Sequence, residues 1–325
     1  MKKLFTAKKN DADKRLDRFV MKVCPNMPSS HLYKLIRKKD IRVNGARAEL
    51  SYRLCPEDTV SIFAPDEFFE DTTKNYDFLS ASKALDIVYE DENIIVVDKP
   101  QGLIVHPDKS EYRDTLINRI LRYLYEKGEY DPEAENTFTP ALANRIDRNT
   151  CGMVLAAKNA EALKVLCDKI KLREIDKFYL CVVHGVPKKR EALLTGYLFK
   201  DEDKNRVFLQ SKKQDNNRTI KTKYRLLATK GNLSLLEVEL LTGRTHQIRA
   251  HLSSIGHPLL GDGKYGNLKA DKKMGYTKQA LCSYKLCFNF KSDAGVLNYL
   301  SGKTLTLNDI WFARELFGEK YKDLI

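Results

Sequence analysis

One carboxylate set between two arginines, in "NRIDRNTCGMVLAAKN" from Asn144 to Asn159, is the first part of this sequence whose residue types could do chemistry. Asp147 has no histidine or second acid nearby to complete a familiar catalytic cluster. An aspartate in "RIDR" is usually an ion-paired or helix-capping residue, and by itself it is read that way. Two features set it apart. It lies in a Thr-Cys-Gly turn context leading into the apolar, strand-like run "GMVLAA". Arginine-rich stretches elsewhere, "GRTHQIRAH" above all, carry polar residues that folding does not demand. A lone carboxylate served by cations can act as a nucleophile, provided a nearby guanidinium keeps it ionised against desolvation.

Other candidate motifs carry less. "GDGKYG", Gly261–Gly266, fits G-x-G-x-x-G, but "IGHPLL" precedes it and the polar "NLKADKKMGYTK" follows. A dinucleotide site needs a strand before and a helix after, so a tight turn is expected here. His246 and His251 stand five apart, the wrong spacing for two ligands on one helical face. No H-x-E with P-C-x-x-C occurs, which disfavours a zinc nucleobase deaminase. The seven cysteines are odd in number, without a C-x-x-C pair, and read as reduced structural thiols. No metal site is expected.

The elements that must position Asp147 fall into two blocks. Residues 1–65 hold fifteen Lys and Arg against seven Asp and Glu, a large share of the chain's net charge of +13. "DADKRLDRFVMKV" spaces Leu16, Phe19, Val20 and Val23 as a helix, with Asp11 or Asp13 as caps. "PSSHLYKLIRKKD" reads as a second helix capped by Ser29 or Ser30, with Leu32, Leu35 and Ile36 inward and Lys34, Arg37, Lys38 and Lys39 outward. "IRVNG" enters a tight turn at Asn44-Gly45, and "TVSIF" alternates as a closing strand. The acidic stretch 66–77, after Pro65, suggests a linker. From residue 85 onward strands and helices are interspersed without strict alternation, which argues for an α+β domain on a mostly antiparallel mixed sheet with flanking helices.

The 325 residues allow two domains and a sizeable core. No run approaches the roughly eighteen apolar residues of a membrane span, and the N-terminus lacks the apolar segment of a signal peptide. The chain is expected to be cytoplasmic, and its basic balance fits nucleic acid.

Residues 1–65 resemble the small RNA-binding domain first known from ribosomal protein S-four, through "RLDRFV", "SSHLYKLIRKKDIRVNG" and "EDTVSIF" in order. "RIDRNTCGMVLAAKN" is similar to the H-R-L-D-x-x-T-S-G signature of RluA-type pseudouridine synthases. "IIVVDKPQGLIVHP", "KFYLCVVHG", "LTGRTHQIRAHLSSIGHPLLGDGKYG" and "QALCSYKLCF" match further family blocks in order, over roughly residues 85–290. The resemblance implies that Asp147 is the essential aspartate and that Arg145 occupies the place vacated by a flipped uridine. It further implies that Tyr179 stacks on the target base and Arg249 pairs with the carboxylate, while Arg244 and His246 line the RNA path. Asn144, Ile146 and Cys151 depart from the usual His, Leu and Ser. Asn144 bears on RNA contacts and substrate choice more than on catalysis.

The implied organisation is an RNA-binding domain at 1–65, a linker at 66–84 and a catalytic domain at 85–325. The implied function is isomerisation of uridines in RNA, in large-subunit 23S-type ribosomal RNA, by a monomer needing no cofactor. The reaction breaks the ribose–N1 bond, rotates the base and rejoins it through carbon 5, with no net oxidation or hydrolysis. A non-catalytic RNA-binding or ribosome-assembly factor is the alternative from another class. An RNA N-glycosidase is a third reading, distinguished by loss of uracil mass.

Overall fold

The computed structural model describes residues 1–70, 76–201, 206–210 and 218–325. Residues 71–75 of the expected linker lie outside these.

Two sheets organise the chain. The first has four antiparallel strands, β1 (Lys2–Thr6), β2 (Ile41–Val43), β3 (Ala46–Arg47) and β4 (Thr59–Phe63), in the order β1-β4-β2-β3. Helices α1 (Leu16–Val23) and α2 (Ser29–Arg37) cover it. Their helically spaced Leu16, Phe19, Val20, Leu32 and Leu35 close over Ile41, Val43, Val60 and Ile62 as one core. Asn44 and Gly45 both take positive φ, 53° and 77°, the primed hairpin geometry expected of Asn-Gly.

The helix starts differ from expectation. Arg15 and Pro28 hold the N-cap positions, neither with a side-chain cap. Asp11 instead lies fully buried in a short helical turn. Asp13, at φ 61°, turns its carboxylate to Arg53. Pro28 sets an extended entry that leaves Ser29 and Ser30 inside the helix. Further on, Phe68 packs into the small core and Phe78 into the large one.

The second sheet has eleven strands among the described residues. They are β5 (Asp86–Glu90), β6 (Ile94–Lys99), β7 (Ala141–Leu142), β8 (Cys151–Ala157), β9 (Ile175–His184), β10 (Glu191–Asp201), β11 (Arg206–Gln210), β12 (Arg218–Lys230), β13 (Leu233–Leu240), β14 (Leu281–Phe288) and β15 (Thr304–Thr306). The spatial order is β11-β10-β12-β13-β9-β14-β8-β6-β5, with β7 paired to β8 and β15 to β14. All pairs are antiparallel except β14 with β8, so the domain is α+β on a mostly antiparallel mixed sheet.

Strand alternation divides the core. Val96, Leu155 and Val182 face α4 (Ala160–Leu172), whereas Ile95, Val154, Tyr179 and Val183 face α3 (Leu116–Glu126) and α5 (Gln247–Ser254). Tyr179 and Ile146 thus share the face on which α5 lies. No helix among the described residues is long and apolar enough to cross a membrane.

Candidate active site

Asp147 sits on the loop between β7 and β8, which is anchored at both ends and in the middle. At its start the Asn144 Oδ1 accepts the Leu155 N–H at 2.8 Å, extending the β7–β8 ladder by one side chain. At its end Thr150 donates its N–H to the Asp147 carbonyl and accepts from Gln279 through Oγ1, both at 3.0 Å. In the middle the Arg148 carbonyl takes the Gly102 N–H at 2.8 Å and the Lys99 ammonium at 3.0 Å. Lys99 is fully buried and also donates to the carbonyls of Pro100 and Leu103, while burial lowers its pKa to about 8. Gly152 permits the exit into β8. At φ 109°, an added Cβ would stand 2.3 Å from the Ser283 carbonyl oxygen where β8 runs beside β14.

Opposite this loop, Arg249 on α5 bridges two carboxylates. Its Nε and Nη2 donate to Asp262 Oδ2 and Oδ1, each at 2.8 Å, and its Nη1 donates to Asp147 Oδ2 at 2.9 Å. Burial opposes the charge of Arg249. The Asp262 bonds and charge, with Asp147 behind them, more than offset it and hold its pKa above the ordinary value. For Asp262 burial likewise works against ionisation, but Arg249 and the N–H groups of Lys264 and Tyr265 leave its pKa lowered. Asp262 is wholly buried, whereas the Asp147 side chain keeps 25% of its surface open to the cavity. Among the described residues only one guanidinium nitrogen bonds Asp147, through Oδ2, which leaves Oδ1 open to a substrate.

A second line of contacts reaches Asp147 from the same turn. Tyr265 places its ring 5.3 Å from the Arg249 guanidinium carbon and its hydroxyl 3.1 Å from His246 Nδ1. His246 Nε2 lies 3.8 Å from Asp147. Burial depresses His246 to about 4, with Asp147 pulling the other way, so the ring is neutral near pH 7. Its position is strained for a non-glycine residue, at φ 52° ahead of α5.

The cavity above these groups has a volume of about 520 Å³ and is lined by Arg145, Asp147, Tyr179, Arg244, His246 and Arg249 among others. That lies in the usual range for small-molecule sites, about 300–1,000 Å³. Tyr179 is 5% exposed, and burial raises its hydroxyl pKa. Arg145 and Arg244 are exposed at the rim. Lys34, Arg37, Lys38 and Lys39 line no part of the cavity; all are exposed, the first two on α2 and the last two just past its C-terminus. Sequence reasoning missed Asp262, Tyr265 and Lys99. Asp262 left one signal, an acid between two glycines of a tight turn beside an arginine-rich segment. Among the described residues no group of three His, Cys, Asp or Glu could hold a metal ion.

Comparison with known proteins sharpens this geometry. Residues 93–254 match the family model described as RNA pseudouridylate synthase. A protein of Mycoplasma capricolum, described as an uncharacterized RNA pseudouridine synthase, is 32% identical over 95% of this chain and 99% of its own length. The ribosomal large subunit pseudouridine synthase D of Borreliella burgdorferi is 33% identical over 69% of this chain and 68% of its own. Among solved structures, human RNA pseudouridylate synthase domain containing 4 superposes with a TM-score of 0.56 at 20% identity, covering 73% of this chain and 92% of that one, a likeness of fold.

Proposed function

We propose, for a chain that belongs to the RNA pseudouridylate synthase family and is an RNA pseudouridine synthase, that its target uridines lie in large-subunit ribosomal RNA and that Asp147 is its one essential carboxylate. The observation that carries the assignment of Asp147 is its single 2.9 Å bond to a guanidinium already held by Asp262, in a cavity of about 520 Å³. That arrangement keeps a carboxylate charged in a partly closed site and leaves one oxygen open.

On this reading the target base must leave the stack to reach Asp147, at a cost of a few kcal/mol. Arg145, exposed at the rim, fills the vacated place, and Tyr179 offers the stacking face, worth roughly 1–3 kcal/mol. Asp147 then either attacks the sugar carbon as a nucleophile or removes a ribose proton to give a glycal-like intermediate. Arg249 stabilises its charge, and its own pKa holds it protonated throughout. Arg244 and His246 line the RNA path, the histidine as a neutral hydrogen-bonding ring. No redox or hydrolytic step requires a cofactor.

Residues 1–65 form the RNA-anchoring, S-four-like domain, with phosphates meeting Lys34, Arg37, Lys38 and Lys39, all exposed. Residues 85–325 form the catalytic domain, 66–84 the linker, and the chain works as a cytoplasmic monomer. The ribosomal substrate is supported by relatives described as large-subunit enzymes.

The test is a pseudouridine map of total RNA from cells with and without this gene, using a carbodiimide adduct that stops reverse transcription. Stops in large-subunit RNA that vanish on deletion, and return with the wild type but not with Asp147→Asn, are expected. Purified Asp147→Asn should bind RNA within a few fold of wild type. Restoration of the stops by Asp147→Asn would refute its role.

A further inference from the structure

The small N-terminal unit carries an unusual polar seam on one side. Asp11 is fully buried although it lies at the domain's edge. Its partners explain this: Oδ2 accepts the Lys8 N–H at 3.0 Å and the Asn136 Nδ2 at 2.8 Å, and Oδ1 accepts the Thr137 hydroxyl. Two of these three donors belong to the segment between α3 and β7. The same Asn136 amide donates to the Thr6 carbonyl at 2.8 Å, and the Lys14 ammonium reaches the Thr137 hydroxyl. Asn10 donates to Glu135 at 2.9 Å and accepts the N–H of Ala160 at 3.1 Å, pairing the first residue of α4, while Asn159 caps the Ala162 N–H at 2.9 Å. Lys8 bonds the Ala134 carbonyl, and Lys164 on α4 pairs with Asp13 at 2.8 Å.

These contacts share two properties. All of them use residues 6–14 of the small unit, and none uses α2. Lys34 and Arg37 of α2, with Lys38 and Lys39 at its C-terminal end, stay exposed and enter no side-chain ion pair or hydrogen bond among the described residues. A buried carboxylate is tolerated only when its acceptor sites are filled, and here the large domain supplies two of the three donors.

We infer that the small domain is docked on the catalytic domain, so that Asn10, Asp11, Asn136 and Thr137 determine specificity by fixing the offset between the basic face of α2 and Asp147. The inference rests on the RNA-modifying reading above. Phosphates anchored on α2 then present only a uridine at the matching distance to the cavity. A loosely tethered domain would let neighbouring uridines compete.

The test uses the full chain, labelled at Cys55 and Cys167, its two exposed thiols, one on each side of the seam. Paired spin labels should give a narrow distance distribution in the wild type and a broad one in Asp11→Ala. Because Asp11→Ala could damage the small core, Asn136→Ala with Thr137→Ala provides a second disruption outside both cores, and it should broaden the distribution equally. In the pseudouridine map both variants should lose target signal, by about tenfold where effective concentration of the anchored RNA is lost, and gain signal at nearby uridines. A short RNA carrying only the target uridine should be converted as fast as by the wild type. Broadened distances with an unchanged map would overturn the specificity role. A broad distribution in an active wild type would overturn the docking itself. A narrow one in a wild type that makes no pseudouridine would instead sink the enzyme reading and the specificity role together, leaving only the docked geometry.

Discussion

Replacing Asp262 with asparagine removes one charge from a cluster in which two carboxylates share one guanidinium. The wild-type carboxylate is wholly buried and makes two 2.8 Å bonds to Arg249. Asparagine keeps one acceptor, but its amide would point a donor at a donor. Breaking a buried pair by removing one partner costs about 3–5 kcal/mol. Because one acceptor survives and Arg249 keeps Asp147, a loss below that range, about 2–3 kcal/mol of stability, is expected. The larger effect falls on chemistry. Freed from its clamp, the guanidinium can turn both arms onto Asp147 and close off the open oxygen. A misplacement of about 1 Å is worth about 100-fold in rate, or roughly 2.7 kcal/mol. Asp262 cannot touch RNA from its buried position, so affinity should hold. The assay is single-turnover conversion of a target RNA at saturating enzyme, with RNA affinity and thermal melting measured on the same preparations. Asp262→Glu, which restores the charge on a longer arm, should recover part of the rate. A rate within about threefold of wild type, less than 1 kcal/mol in barrier, alongside the expected stability loss would refute the reasoning, because Arg249 would then hold its place unaided.

Two further outcomes follow from charge and burial. Changing Lys34, Arg37, Lys38 and Lys39 together to alanine should weaken RNA binding and reduce the slope of log affinity against log salt by about 3, at roughly 0.7 per lost phosphate contact. An unchanged slope would remove α2 from the RNA path. His251 is 3% exposed, donates or accepts at Thr222 Oγ1 at 3.0 Å, and is depressed by burial to about 4. Between pH 6.5 and 4 the unfolded chain therefore takes up a proton that the folded ring refuses. Its contribution to stability is full above pH 6.5 and is lost as pH falls through 4, by about 1–3 kcal/mol. Urea midpoints at several pH values should show a shallower acid loss for His251→Asn than for wild type; equal losses would mean that the ring charges without penalty.

Much of the architecture was legible in residue order because its signals are local. The helical spacing in α1 and α2, the Asn-Gly turn, the alternation of β4 and the apolar, β-branched and aromatic runs of β6, β9 and β14 need only neighbours a few positions away. Asp147, Arg145, Tyr179 and Arg249 were singled out by the resemblance of their blocks to a known family, not by local spacing, and the structure brings all four to one cavity. The turn reading of "GDGKYG" was correct as far as it went. It hid a function because Asp262, thirteen residues from Arg249, meets it only after α5 and the turn have folded back on each other.

Asn144 shows the same limit from the other side. Its departure from the usual histidine suggested altered RNA contacts; the structure adds a role that residue order did not show, a bond from the Leu155 N–H to its side chain at the cavity wall. By itself the sequence determined the elements, the apolar faces and which residue types could do chemistry. Only the tertiary structure decided that Arg249 serves two carboxylates, that His246 stays neutral, and that Asp11 is a buried seam residue and not a helix cap. Each of those depends on which groups lie nearby in space and how far water is excluded, and burial sets the strength of every charge interaction. The Arg249–Asp147 bond spans 102 residues and the Asp11–Asn136 bond 125, distances over which local spacing carries no information about contact.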